Sequence, residues 1–101
     1  MTSENGEAVV RAKINLETSL IAWTELQRYF ATGAVLVVGA EVDLVEVAFQ
    51  MSEDNTAKIK LWLDNGQLAH VSDDLARDWL AREVSVWAVV VNPWLLVQDR
   101  G

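Results

Sequence analysis

At 101 residues the chain fits one domain, large enough to bury about two-thirds of the surface its unfolded form exposes. Hydrophobic residues make up 51%, charged residues 23%, and there are five glycines and one proline, which excludes disordered and collagen-like classes. The net charge of −7 disfavours phosphate backbones and acidic membranes and favours a basic protein or a cationic ligand, and zero cysteines exclude disulfides, thiolate nucleophiles, zinc ribbons and iron–sulfur sites.

Residues 1–7, M-T-S-E-N-G-E, read as a flexible polar tail without the basic start and apolar core of a signal peptide, so a cytoplasmic location is the expectation. The longest apolar run, Val86 to Val91, is far short of the roughly 20 residues that span a bilayer. A single domain is expected over residues 8–98. From Ala8 onward Val9, Val10, Ile14, Leu16, Leu20 and Ile21 fall on a helical stripe, with Arg11, Lys13 and Glu17 facing water. Thr24 with Gln27 fits a capping box opening a short second helix that buries Trp23, Leu26 and Phe30 and stops at Gly33.

Ala34 to Val38 lacks polar alternation and ends at Gly39, the pattern of a short buried strand beside the C-terminal one. Asp43 and Glu46 form a second cap pair ahead of Leu44, Val47, Ala48 and Met51, at helical spacing. The polar knot Ser52-Glu53-Asp54-Asn55 breaks that helix, and Asp54 or Asn55 caps a fourth that turns Ile59, Trp62 and Leu63 inward and stops at Gly66. After the brief extended segment Leu68 to Val71, Ser72 caps a fifth helix, with Asp73 and Asp74 at its positive end and Leu75, Ala76, Trp79 and Leu80 inward.

The C-terminal stretch from Val84 to Gln98 organises the chain. Val84, Val86, Ala88 and Val90 point one way in an extended strand and Trp87, Val89 and Val91 the other, so both faces are apolar and both expect cover. Pro93 lacks the ladder donor and marks a bulge, corner or turn before Trp94 to Gln98 resume the extended pattern. Together these segments predict an α+β fold, about five helices on a small, mostly antiparallel sheet of three or four strands.

Candidate chemistry is sparse. His70, Ser72 and Asp73 contain the residue types of a nucleophile–base–carboxylate trio, but they are too close along one strand-to-helix turn to converge, and no G-x-S-x-G elbow is present. Asp73, Asp74 and Asp78, or Glu53 and Asp54, could offer oxygen ligands, yet neither group has calcium-loop spacing and helix-start acids already suit the dipole. Isolated Gly33, Gly39 and Gly66 build no phosphate cradle. No metal site, catalytic residue or cofactor is therefore expected. Trp23, Trp62 and Trp79 sit on apolar helix faces as core, whereas Trp94, just past the irregularity at Pro93, is placed to line a groove or an interface.

Two resemblances bear on function. Residues 44–71, with Val47-Ala48, Ile59, Trp62-Leu63, Gly66 and Leu68, resemble the helix-turn-helix of excisionase and mercury-resistance-regulator-like proteins. That resemblance implies a second helix entering the DNA major groove, yet Ser52, Glu53, Asp54 and Asn55 stand where basic and hydroxyl residues are needed, with only Lys58 and Lys60 after them. Residues 13–98, through N-L-E-T, W-T-E-L-Q-R-Y-F-A-T-G, D-L-V-E-V-A, W-L-D-N-G-Q-L-A-H-V-S-D-D-L-A-R-D-W and the specific W-A-V-V-V-N-P-W-L-L-V-Q, resemble a family of short bacterial proteins catalogued only as a domain of unknown function. The departure is Ala22, where proline is common in that family; the resemblance implies a bacterial cytoplasmic protein and supplies no activity. The function expected from the residues is a non-enzymatic interaction or assembly module. Trp87, Pro93, Trp94 and Val97 on the C-terminal strand would pair its edge with a protein partner or a second copy. The alternatives are a degenerate helix-turn-helix regulator and a small-molecule enzyme around His70.

Overall fold

A computed structural model describes residues 3–99, and its elements run α1 (Ser3–Glu17), β1 (Ser19–Ala22), a 3-10 turn (Trp23–Leu26), α2 (Gln27–Ala31), β2 (Val35–Val38), α3 (Leu44–Ser52), α4 (Thr56–Asp64), β3 (Leu68–His70), α5 (Asp73–Ala81), β4 (Ser85–Val91) and β5 (Trp94–Gln98). This is an α+β fold with five helices and five strands, two more strands than the lower expectation and one more than the upper. Strand order is β1-β4-β5-β2-β3, antiparallel throughout except for the parallel pair β2–β5.

Both extra strands have physical causes. The expected helical stripe through Leu20 and Ile21 stops at Glu17, where Thr18 turns its hydroxyl back onto the Ile14 carbonyl (2.7 Å), a bond that competes with helix propagation. The next four residues pair with β4, Ser19 opposite Ala88 through Ala22 opposite Ser85. The long C-terminal run folds back at Asn92-Pro93, a cis peptide, so Val91 faces Trp94 across a hairpin. Helix α1 begins at Ser3, inside the stretch expected as tail; residues 1 and 2 of that tail lie outside the described residues.

The hairpin corrects the expected interface. β5 lies in the sheet between β4 and β2, so both of its edges are hydrogen-bonded and neither is open to a partner. The free edges belong to β1 and β3. Val97, expected at the contact, is fully buried.

Both faces of β4 and β5 are covered, as their two-sided apolar pattern requires. One face carries Leu36, Val38, Leu68, Val89 and Leu96 under Ile14 of α1, Leu44, Val47, Ala48 and Phe49 of α3 and Trp62 of α4. The other carries Val35, Val86, Ala88, Leu95 and Val97 under Trp23, Leu26, Ala76 and Trp79. On that side Trp23 sets its ring edge-on to Trp79 at 5.0 Å and to Phe30 at 5.8 Å and donates its indole N–H to the Ala76 carbonyl (3.2 Å). A buried indole donor is thereby satisfied. The expected Thr24–Gln27 box does not form: the 3-10 turn follows Ala22 with no side-chain cap, and Gln27 donates instead to the Trp23 carbonyl (2.9 Å).

Three expected caps are in place: Asp43 accepts from Val45 N, Asn55 from Lys58 N and Ser72 from Leu75 N. Gly33 and Gly66 end their helices at φ 76° and 79°, where a Cβ is strained. Leu63 and Leu80, expected inward, are instead 46% and 43% exposed. Each sits one residue, or about 100° of helix, past the tryptophan that reaches the core, Trp62 or Trp79.

Candidate functional site

The surface around Trp94 is built by α3, α4 and the β4–β5 hairpin. Near the end of helix α3 Met51 is half-buried against the core, and after Ser52 the three residues Glu53, Asp54 and Asn55 turn the chain into α4. Asp54 takes the left-handed conformation (φ 56°), one that aspartate adopts more readily than most residues. Its N–H donates to the Met51 carbonyl at 3.1 Å, and its own carbonyl accepts from Thr56 N at 2.9 Å.

A polar relay fixes these helices to each other. Asn55, while capping α4, donates through Nδ2 to Gln50 Oε1 (2.8 Å), and Gln50 Nε2 donates to Glu46 Oε2 (2.9 Å). Glu46 then pairs with Arg11 of α1, whose guanidinium also lies 4.2 Å over the Phe49 ring. Hydrogen bonds from Arg11 and then Gln50 hold the Glu46 carboxyl below the usual carboxylate range. On the strand side Gln98, almost fully buried, donates through Nε2 to the Gly39 and Val42 carbonyls (2.8 and 2.7 Å) and anchors the loop that leads into α3.

These supports leave an open groove of 260 Å³ with an apolar lining of Met51, Ile59, Leu63 and Trp94 and a polar rim of Asp54, Thr56 and Lys60. Lys60 is tied to Asp64 on its own helix at 3.1 Å. Trp94 is half-buried and meets the His70 ring edge-on at 5.9 Å. A second hollow of 340 Å³ lies between α1 and α3, lined by Gly6, Glu7, Val10, Phe49 and Glu53.

Of the four residues expected at an interface, Trp94 lines the groove and Pro93 is exposed next to it in the chain; Trp87 is half-buried against the core and Val97 fully buried. The other groove residues carried a different expectation, Met51, Ile59 and Leu63 as core and Asp54 as a cap or an oxygen ligand. The one sequence signal that pointed to them was the acidic break between two helices.

The residues considered for catalysis and metal binding do not converge on one point. His70 is exposed on β3 against Trp94, while Ser72 Oγ accepts from Leu75 N as a helix cap. Asp74 pairs with Arg77 (2.5 Å) and Asp78 with Arg82 (2.7 Å), and the Arg82 hydrogen bond holds the Asp78 carboxyl low. Among the described residues no three His, Asp or Glu side chains stand together as a metal-ligand set, and no helix is long and apolar enough to cross a membrane. In the segment compared with helix-turn-helix proteins, Lys58 lies 5.9 Å from the Trp62 ring and Lys60 is paired, while Glu53 and Asp54 occupy the turn.

Residues 9–99 match a family described as a protein of unknown function (DUF2288). Among solved structures, the chain is similar to PA1075 from Pseudomonas aeruginosa, determined by NMR in solution: 46% identity over 92% of this chain and 86% of that one, with a TM-score of 0.81. A comparison with curated proteins returned no match. The chain belongs to the DUF2288 family.

Proposed function

We propose that this DUF2288 member is a small cytoplasmic, non-enzymatic interaction module whose contact surface is the Trp94 groove. The observation that carries this reading is the groove itself, an open apolar channel walled by Met51, Ile59, Leu63 and Trp94. Aromatic and methionine side chains around a small concavity suit a protein contact, where one buried anchor supplies most of the binding energy. Catalysis would need nucleophile, base and oxyanion donors converging on one point. The groove rim offers a carboxylate, a hydroxyl and an ammonium already paired on its own helix. Helix-turn-helix binding to DNA is disfavoured by the carboxylates of Glu53 and Asp54 where phosphates would approach.

The test is affinity capture from the source lysate with wild type, Leu63→Asp in the groove and Leu80→Asp on α5 as a surface control, all verified as folded. Both leucines are about half exposed, so both variants keep the core intact. A protein retained by wild type and Leu80→Asp but lost from Leu63→Asp is the expected result. Equal retention by all three refutes the groove as the contact.

A further inference from the structure

From the charge distribution around the groove we infer the chemistry of its partner: a protein segment that inserts a bulky apolar side chain and carries a cationic side chain beside it. This inference rests on the groove being an interaction surface. At 260 Å³ the groove is smaller than the roughly 300–1,000 Å³ typical of small-molecule sites, and it suits an anchor side chain better than a free metabolite.

The charges then choose the flanking residue. The Lys60 ammonium is held by Asp64 of the same helix. The Asp54 carboxylate on the rim makes no hydrogen bond or ion pair with the described residues, and neither does that of Glu53 beside it. One unpaired carboxylate, Asp54, therefore stands at the mouth of an apolar channel in a chain of net charge −7, while Glu53 lines the hollow between α1 and α3; the field at the mouth concentrates cationic segments and repels acidic ones. A second copy of the chain would bring the same −7 charge to this mouth, and a nucleic acid would bring phosphates. Both are disfavoured by the Asp54 carboxylate and the negative net charge.

The experiment uses the full chain, ¹⁵N-labelled, and two synthetic peptides, Lys-Leu-Phe-Lys-Leu-Lys and its counterpart Glu-Leu-Phe-Glu-Leu-Glu. The basic peptide is expected to shift the Trp94 indole N–H together with Ile59 and Leu63, and to bind more weakly as salt screens the rim. Asp54→Asn, exposed and in a turn that asparagine also adopts, should weaken that binding about twofold to fivefold, the worth of one exposed charge pair. The acidic peptide should leave the spectrum unchanged. Equal binding of both peptides, indifference to Asp54→Asn, or failure of the basic peptide to move the Trp94 indole overturns the inference. The groove as a contact surface falls separately, only if Leu63→Asp leaves lysate capture intact. A dimer abolished by Leu63→Asp would keep the groove and replace the cationic partner with a second copy.

Discussion

Replacing Gln98 by leucine tests how the central strand holds the helices that build the groove. The Gln98 side chain is 2% exposed, and its Nε2 is the donor to two carbonyls, Gly39 O at 2.8 Å and Val42 O at 2.7 Å. Leucine has similar bulk and no donor, so both carbonyls lose this bond at once, Gly39 O keeping its second donor, Val42 N at 3.1 Å. A fully buried polar group left unpaired costs about 1–3 kcal/mol, but Gly39 and Val42 are half-buried and regain part of that from water. With the Gly39 carbonyl still paired, about 1 kcal/mol, mostly from the Val42 carbonyl, is the expected net loss. In a domain of this size that lowers Tm by about 4–8 °C. Urea unfolding should show the midpoint falling with the slope unchanged, because the surface exposed on unfolding is the same. Gln98→Glu should be worse at neutral pH, since a carboxylate then faces two carbonyl oxygens, and should recover partly as acid protonates it. A Gln98→Leu protein within about 0.5 kcal/mol of wild type would refute the anchoring role, for surface substitutions that touch nothing reach that much.

Three further outcomes follow from the same geometry. Glu46 has its carboxyl pKa depressed in the folded state by Arg11 and Gln50, so its contribution is present above the unfolded carboxylate range and is lost as pH falls through the folded value. Glu46→Gln should therefore be less stable than wild type near pH 7, and the gap in urea midpoints should close on acidification; a gap constant with pH would refute the ion pair's role. Glu83 sits at φ 54°, so Glu83→Gly relieves left-handed strain and, after the added freedom of the unfolded chain, should stabilise by about 0.5 kcal/mol in thermal melts. A loss of stability there would place the strain elsewhere. Val97→Lys puts an ammonium into a fully buried strand position, where lost burial of about 1.5–3 kcal/mol and a desolvation penalty of several more approach the whole stability of a domain. Circular dichroism should show an unfolded chain, and a folded one would mean that β5 is not central.

Local physics was legible in the sequence where one segment decides its own state. Asp43, Asn55 and Ser72 stand before apolar periodic runs and cap helices as such residues do, and the two-sided apolar pattern of residues 84–91 announced cover on both faces. What escaped was decided at a distance. Leu20 and Ile21 continue the spacing of α1, and only pairing with Ser85 to Ala88, more than 60 residues on, makes them strand. Pro93 declared a break without declaring that the second half would slot between β4 and β2, one of its pairings being parallel. Trp94 was marked by its position after the break, but its companion Leu63 was not, because one helical step from Trp62 separates a core residue from a groove wall.

The topology also bears on the proposed contact, since it leaves little sheet edge to pair with. The longest strand, β4 with seven residues, and the most buried one, β5, are both interior, while the free edges are β1 with four residues and β3 with three. Short edge strands are one of the ways sheets avoid pairing with other chains. The aromatic C-terminus that suggested an adhesive edge is used up in completing the sheet, except at the hairpin, where Trp94 remains half-open to α4. The relay from Arg11 through Glu46, Gln50 and Asn55 then gives this opening a rigid frame, since it ties the helix before the turn to the helix after it. A groove held in shape in advance would lose less entropy on binding the proposed partner, so its small size does not by itself argue against the proposed contact.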